Sequence, residues 1–147
     1  MKVKGGVILS WILRAILGII FIITAYAKIN DPYPFWEFIE RVLSIPPDWA
    51  MTAQWVVVSW ELLLGSSLLL FLRQIFPVWV TIGTLLGFTV VIGYASFFYP
   101  GIDCGCFGSI LGQNIAGKSS LAKNGLLLLM TLSLVWIHKI KEVKGEN

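Results

Sequence analysis

Four long apolar stretches divide the chain, and shorter polar segments separate them. They run over residues 7–27, 50–72, 77–99 and 120–137. Each stretch is close to the roughly 20 apolar residues that a helix needs to cross the hydrocarbon core of a bilayer. A single helix also satisfies its own backbone hydrogen bonds in lipid, which a single strand does not. The pattern therefore predicts an all-α membrane protein, with one four-transmembrane-helix bundle over residues 1–147.

The polar segment after the first stretch has a helical pattern of its own. In DPYPFWEFIERVLS, the apolar residues recur at helical spacing: Phe35, Phe38, Ile39, Val42 and Leu43. The charged residues fall on the opposite side: Glu37, Glu40 and Arg41. This pattern is typical of a short amphipathic helix that lies in the membrane interface. We expect Pro46-Pro47 to end it.

The composition agrees with a membrane protein and argues against nucleic-acid binding. Hydrophobic residues make up 57% of the chain and charged residues 13%, against about 25% charged residues in an average soluble domain. Such a chain does not have enough polar groups to cover a soluble surface. It also has no basic stripe interleaved with aromatic residues, the pattern that indicates nucleic-acid recognition.

The first stretch has a cleaved signal peptide as its alternative interpretation. Lys2 and Lys4 precede it, and Ala25-Tyr26-Ala27 has the form of a cleavage site. The apolar core is too long for a signal peptide, however, and it contains Arg14. A retained transmembrane helix is the favoured interpretation.

The basic residues beside the spans predict the orientation, because cytoplasmic flanks carry an excess of Lys and Arg. With four helices, one side of the membrane holds six such residues: Lys2, Lys4, Arg73, Lys139, Lys141 and Lys144. The other side holds four: Lys28, Arg41, Lys118 and Lys123. The bias places both termini in the cytoplasm and the loop after residue 99 outside the inner (cell) membrane.

Arg14 and Glu61 are charged residues within predicted spans, where a charge costs about 2.5–3.5 kcal/mol on insertion scales. Arg14 either extends its guanidinium to the cytoplasmic surface or pairs with Glu61. Glu61 lies close to the midplane and has three interpretations: a structural hydrogen bond to a neighbouring helix, a pair with Arg14, or a proton-handling group beside a bound small molecule. Together they are the candidate intramembrane polar site.

Gly83 and Gly87 form a G-x-x-x-G pattern in the third stretch. Two glycines at this spacing allow a second helix to approach closely. The pattern predicts a packing contact, either within the bundle or between two copies of the chain.

Both cysteines lie in PGIDCGCFGS, where Gly105 separates Cys104 from Cys106. A metal site in one chain needs more ligands than these thiols provide, and two inert buried thiols are another alternative. The predicted outer side is oxidising in most cells, and we expect solvent to reach both thiols. A disulfide across one residue closes a small ring whose torsion is forced from its preferred value, and strained, exposed disulfides are the labile ones. The spacing favours dithiol–disulfide exchange by Cys104 and Cys106.

Four neighbouring residues are the candidate supporting loop: Asp103, Gly105, Phe107 and Gly108. Gly105 has no Cβ, which makes the tight ring reachable. The negative charge of Asp103 disfavours a thiolate at Cys104, so Cys106 is the favoured attacking thiol.

CGCFG after an apolar helix, followed by a polar loop and Lys123-Asn124, resembles the MauE family of methylamine-utilisation membrane proteins. RAILGIIFIITAYAKINDP and WELLLG, around Glu61, resemble the related DoxX-type proteins. The resemblance covers most of the chain, and CGCFG is its most specific part. It implies a four-helix membrane bundle linked to thiol redox, with Cys104 and Cys106 as the redox pair.

The resemblance also suggests where electrons go. MauE is associated with forming or maintaining disulfides in a periplasmic dehydrogenase subunit, and DoxX relatives with sulfur-compound oxidation that uses quinone. A quinone between the helices is therefore the cofactor suggested by analogy. Other four-helix membrane thiol oxidases typically carry a second cysteine pair, which this chain lacks. Another membrane subunit is the alternative electron acceptor.

The favoured function is a membrane thiol–disulfide redox component, in which Cys104 and Cys106 exchange with an extracytoplasmic thioredoxin-like protein or client. The alternative is a non-catalytic scaffold that docks or matures a secreted redox protein. Catalysis requires both thiols, whereas docking tolerates the loss of one. The lipid bilayer is an expected partner in either case, and a homo-oligomer is compatible with both.

Overall fold

The computed structural model of the chain describes residues 2–71, 74–102, 104–105 and 118–143. These residues form five helices and no strand: α1 (Lys2–Asn30), α2 (Tyr33–Leu43), α3 (Pro47–Leu70), α4 (Phe76–Phe98) and α5 (Lys118–Val143). Four of the helices, all except α2, are long and apolar enough to cross a membrane. The predicted all-α fold with four membrane spans is confirmed.

The helices extend further than the apolar stretches at several ends. α1 begins at Lys2 and ends at Asn30, and α5 continues to Val143. Hydropathy marks where the chain becomes polar, but the backbone hydrogen bonds of a helix also form in a polar flank. α3 begins at Pro47, because proline lacks an N–H and its fixed φ suits the first turn of a helix.

Helices α1 and α3 cross closely at Gly18 and Gly65. A Cβ added to Gly18 would lie 2.9 Å from the carbonyl oxygen of Gly65, and one added to Gly65 would lie 2.8 Å from that of Gly18. The two backbones are therefore in contact at this crossing. Within the described residues, a Cβ at Gly83 or Gly87 would meet nothing within 4 Å. The predicted contact of these two glycines within the bundle is wrong, and a contact between copies stays a prediction.

α2 covers one end of the bundle, called here the α2 end: α1 and α4 finish there, and α3 and α5 begin there. A buried cluster joins α2 to this end: Phe35, Phe38, Ile39, Val42, Ala50, Ala95 and Cys104. Four of the five apolar positions predicted for α2 belong to it. Leu43 does not, and it is 53% exposed. It is the last residue of α2 and lies about 100° beyond Val42 around the helix.

A second buried cluster fills the middle of the bundle: Leu17, Phe21, Leu64, Leu68, Val78, Leu85, Leu127 and Leu134. It joins α1, α3, α4 and α5. Large apolar side chains such as Val90 and Phe97 face outward on the same helices. Outward apolar groups are what a lipid-facing surface requires, so the four helices form a membrane bundle with an apolar exterior.

Candidate functional site

Lys28 on α1 and Glu61 on α3 form an ion pair inside the bundle. The Lys28 ammonium donates to both carboxylate oxygens of Glu61, at 2.7 Å and 2.9 Å. The two side chains are 1% and 3% exposed. Side chains on a helix lean towards its N-terminus. Because α1 and α3 run in opposite directions, Lys28 and Glu61 lean towards each other and meet.

Two further contacts fix Lys28. The Gln54 side chain donates to the carbonyl oxygen of Lys28, at 3.4 Å. The Lys28 ammonium lies 5.0 Å from the ring centroid of Phe35, a distance at which a cation is attracted to the face of an aromatic ring. The pair is thereby held between α3 and the first turn of α2.

A small cavity adjoins the ion pair. Its polar lining comes from Thr24, Lys28, Glu61 and Asn124. Its apolar lining comes from Ile20, Phe21, Phe35, Leu85, Phe88, Ile92 and Leu127. The cavity volume is about 30 Å³, and one water needs roughly 10–15 Å³ on this measure. The cavity has room for about two waters, and most of its lining is apolar.

The cavity does not fit a quinone ring in this conformation. Pockets that bind small molecules usually exceed about 300 Å³, and the cavity holds about 30 Å³. The apolar and hydrogen-bonding side chains are of the kind a quinone needs, but the space is not. No step is therefore assigned to a quinone.

Asn124 joins α5 to α4 at the wall of the cavity. Its amide donates to the carbonyl oxygen of Leu85 at 3.0 Å and to the Thr89 hydroxyl at 2.6 Å. Asn124 is buried, and a buried amide costs free energy unless it is hydrogen-bonded. These two bonds hold its side chain in place beside the ion pair.

Cys104 lies at the α2 end and is buried, with an exposed fraction of 0%. Its thiol donates to the Ser120 hydroxyl, in the first turn of α5, at 3.6 Å between Sγ and Oγ. The expectation that solvent reaches both thiols is wrong for Cys104. The reason is α2, which folds over this end and contributes Phe35 and Phe38 to the buried cluster that contains Cys104.

Gly105 fixes the backbone after Cys104. It has φ +55, in the left-handed region that favours glycine. A Cβ there would lie 2.6 Å from the backbone nitrogen of Phe35, so only glycine permits this approach. The Cys104–Gly105 turn is therefore pressed against the first turn of α2.

Four predicted site residues lie outside the described residues: Asp103, Cys106, Phe107 and Gly108. Disulfide formation by Cys104 and Cys106, and the roles of the other three, stay predictions.

Arg14 and Glu61 are not brought together. The Arg14 guanidinium donates to the carbonyl oxygens of Phe71, at 3.2 Å, and Gln74, at 2.6 Å. These carbonyls follow the C-terminus of α3, where backbone acceptors lack helical partners and attract cations. Arg14 also lies about 21 Å along α1 from Lys28, at ~1.5 Å per residue. Of the two interpretations of Arg14, the pair with Glu61 is wrong.

The comparisons with known proteins agree with this membrane architecture. A model of the MauE family, described as methylamine utilisation protein MauE, matches residues 6–137. The matched residues include α1 from its second turn, all of α2, α3 and α4, and most of α5. The chain belongs to the MauE family. No curated protein and no solved structure matches it.

Sequence reasoning missed Lys28 as the partner of Glu61. We interpreted it as a basic flank of the first span, because it stands where the apolar stretch ends. A signal was available: a carboxylate near the midplane is stabilised by a nearby cation, and consecutive membrane helices such as α1 and α3 run in opposite directions when a short interfacial helix joins them. Lys28 near the end of α1 faces a point partway along α3.

The described residues of this MauE-family chain contain no group of three or more His, Cys, Asp or Glu side chains that could hold a metal ion. Asp103 and Cys106, which lie outside those residues, are not covered by this observation.

Proposed function

We propose that this MauE-family protein is a membrane thiol–disulfide redox component. Cys104 and Cys106 exchange electrons with a thioredoxin-like protein or client outside the cytoplasm. The observation that carries the proposal is the fixed position of Cys104, whose thiol contacts Ser120 while Gly105 presses against Phe35. A redox cysteine needs a defined position, and this turn supplies one for Cys104.

The helix end beside Cys104 supports thiol chemistry. Ser120 is the third residue of α5, so the Cys104 thiol lies against the N-terminal turn of a helix. The first turn of a helix carries a partial positive charge and stabilises a nearby thiolate. The thiolate is the form that attacks a disulfide in an exchange reaction.

The burial of Cys104 suggests different roles for the two cysteines. A thiol with an exposed fraction of 0% does not reach a sulfur on another protein. We assign first attack to Cys106 and resolution to Cys104, as the charge of Asp103 also favours. This assignment rests on sequence for Cys106, which lies outside the described residues.

The exchange is balanced in atoms and electrons. The Cys106 thiolate attacks one sulfur of the partner's disulfide, which forms a mixed disulfide and releases the partner's second sulfur as a thiolate. The Cys104 thiolate then attacks Cys106, so this chain becomes the disulfide and the partner becomes the dithiol. The reverse reaction uses the same atoms.

The family description supports a client in methylamine utilisation. We place this client outside the cytoplasm, on the same side as the Cys104 turn.

The second candidate is a non-catalytic scaffold that docks or matures a secreted redox protein. The buried, apolar position of Cys104 supports this alternative, because a purely structural thiol would occupy such a position.

Trapping the mixed disulfide tests the proposal. Cys104→Ala removes the resolving thiol, and we expect it to accumulate a reductant-sensitive adduct of higher mass in cells. Cys106→Ala is the matched control and should accumulate less. Adducts from Cys106→Ala alone would reverse the roles of the thiols. Adducts from neither variant, with wild-type client maturation in both, would leave the scaffold.

A further inference from the structure

Cys104 lies in surroundings that oppose the charged form it needs. The resolving step requires a Cys104 thiolate, but this thiol is fully buried and belongs to an apolar cluster with Phe35 and Phe38. An apolar environment disfavours the thiolate form of a cysteine. The proposed exchange therefore requires a polar group that contacts the Cys104 sulfur and favours its thiolate.

Ser120 is such a group. Its hydroxyl oxygen lies 3.6 Å from the Cys104 sulfur, and the residue has an exposed fraction of 0%. Ser120 is the third residue of α5, and side chains on a helix lean towards its N-terminus, which is the end of α5 where Cys104 lies. The hydroxyl therefore reaches the sulfur from the protein interior.

The serine hydroxyl suits both protonation states of the sulfur, because it accepts and donates hydrogen bonds. With the thiol present, Cys104 donates to the Ser120 oxygen. Once the sulfur has lost its proton, rotation about the Cβ–Oγ bond turns the hydroxyl proton towards it, and a hydrogen bond to the charged form of a group favours that form. Cys104 and Ser120 each have a further interaction, so this contact is one of several that position the two side chains.

We propose that Ser120 is the residue that stabilises the Cys104 thiolate in the resolving step. The inference rests on the proposed function, because it names a residue for that exchange. In the step, the Cys104 thiolate attacks the Cys106 sulfur, the bond from Cys106 to the partner breaks, and the partner's sulfur leaves as a thiolate. That thiolate takes up, through solvent, the proton that Cys104 lost, and Ser120 keeps its own proton throughout.

The charged groups around Cys104 stay the same in every variant used below. Helix α4 has no charged residue, and Tyr99 after it packs against the cluster that contains Cys104. Asp103 and Cys106 lie outside the described residues. The charged residues of the other neighbouring helices are Lys28 on α1, Glu37, Glu40 and Arg41 on α2, Asp48 and Glu61 on α3, and Lys118 and Lys123 on α5.

The pH midpoint of Cys104 ionisation tests the proposal without any client protein. In Cys106→Ser, Cys104 is the one remaining thiol of the chain. The ultraviolet absorbance of its thiolate is read against a variant with both cysteines replaced by serine, so the measurement does not depend on access to a reagent. Ser120→Ala removes the hydroxyl, and the midpoint should rise by about one unit, the order of magnitude of one hydrogen bond to a charged group.

Two controls separate this effect from a structural one. Ser120→Thr keeps a hydroxyl at the same position and should restore the midpoint. Ser119→Ala makes the same chemical change one residue earlier in α5, at an exposed position, and should leave the midpoint unchanged. A hydroxyl that only holds the two segments together would change thermal stability in Ser120→Ala and leave the midpoint where it was.

A rise in Ser120→Ala that Ser120→Thr reverses, and that Ser119→Ala does not show, supports the proposal. An unchanged or lower midpoint in Ser120→Ala overturns it, as does an equal rise in Ser119→Ala or a rise that folded Ser120→Thr does not reverse. Where Ser120→Ala does not fold, Ser120→Gly removes the same hydroxyl, and where Ser120→Thr does not fold, the comparison with Ser119→Ala decides.

The outcome is independent of the trapping experiment, because no client is present. Failed trapping together with the expected rise removes the redox function alone. Successful trapping together with an unchanged midpoint removes only this inference about Ser120.

Discussion

The Lys28 ammonium and the Glu61 carboxylate are 2.7 Å and 2.9 Å apart in the membrane-spanning part of the bundle. Phe35 lies between this pair and the cysteine turn: its ring is 5.0 Å from the ammonium, and its backbone is against Gly105. The charged site and the thiol site are thus neighbours through one residue of α2. We expect a substitution at either site to affect the other.

Removing one member of the ion pair should destabilise the protein strongly. Lys28→Met leaves a carboxyl buried without its cation, and breaking a buried pair in this way costs about 3–5 kcal/mol. Thermal unfolding in detergent measures the loss. The double variant Lys28→Met with Glu61→Leu removes both charges and should recover most of it. A single variant as stable as the wild type would contradict the observed pairing.

Substitutions at the α1–α3 crossing should differ from those at the G-x-x-x-G pattern. Gly65→Ala places a Cβ 2.8 Å from the Gly18 carbonyl oxygen, and such overpacking costs about 1–3 kcal/mol. Gly83→Ala meets nothing within 4 Å and should stabilise the helix by up to about 1 kcal/mol. Thermal unfolding compares the two variants. Equal effects would mean that the helices do not cross at Gly18 and Gly65.

Gly105→Ala should release Cys104 from its buried position. The new Cβ would lie 2.6 Å from the Phe35 nitrogen, and left-handed backbone costs a non-glycine residue about 1–2 kcal/mol. With Cys106→Ser present, we expect Cys104 to be alkylated about tenfold faster, because 1.4 kcal/mol is about a factor of ten. Gly101→Ala is the control: its φ is +93, but nothing lies within 4 Å. Unchanged alkylation in Gly105→Ala would contradict the turn geometry.

A labelling experiment tests the predicted orientation in the membrane. With both native cysteines replaced by serine, Ser44→Cys puts a thiol at an exposed position of the α2 end. Gln74→Cys puts one at the opposite end, beside the start of α4. We expect a membrane-impermeant maleimide to label Ser44→Cys in intact cells and Gln74→Cys only after lysis. The opposite result would invert the predicted topology.

The sequence predicts the helices well and their pairing poorly, for a physical reason. A span is a local property, since about 20 consecutive apolar residues suffice to define it. The partner of Glu61 depends on how α1 is rotated and shifted against α3, which the contact of Gly18 with Gly65 sets. No local pattern carries that register, so Lys28 was missed as the partner.

Arg14 and Cys104 show the same limit. Arg14 binds the backbone carbonyls of Phe71 and Gln74, and backbone acceptors leave no signature in a sequence. Cys104 is buried because α2 folds back over the bundle. The amphipathic pattern predicts α2 and its apolar face, but the surface that this face covers is decided by the tertiary fold.

The most direct test of the account counts the thiols of Cys104 and Cys106 before and after contact with a partner disulfide. The reduced protein is incubated with an oxidised thioredoxin-like protein, quenched in acid, unfolded, alkylated and weighed intact. The account predicts that wild-type protein loses both alkylation sites together as the partner gains two, and that Cys104→Ala instead carries the partner as a reductant-sensitive adduct. The redox function would be contradicted if wild-type protein keeps both thiols alkylatable at every partner concentration, and if its oxidised form likewise stays oxidised when it is incubated with the reduced partner.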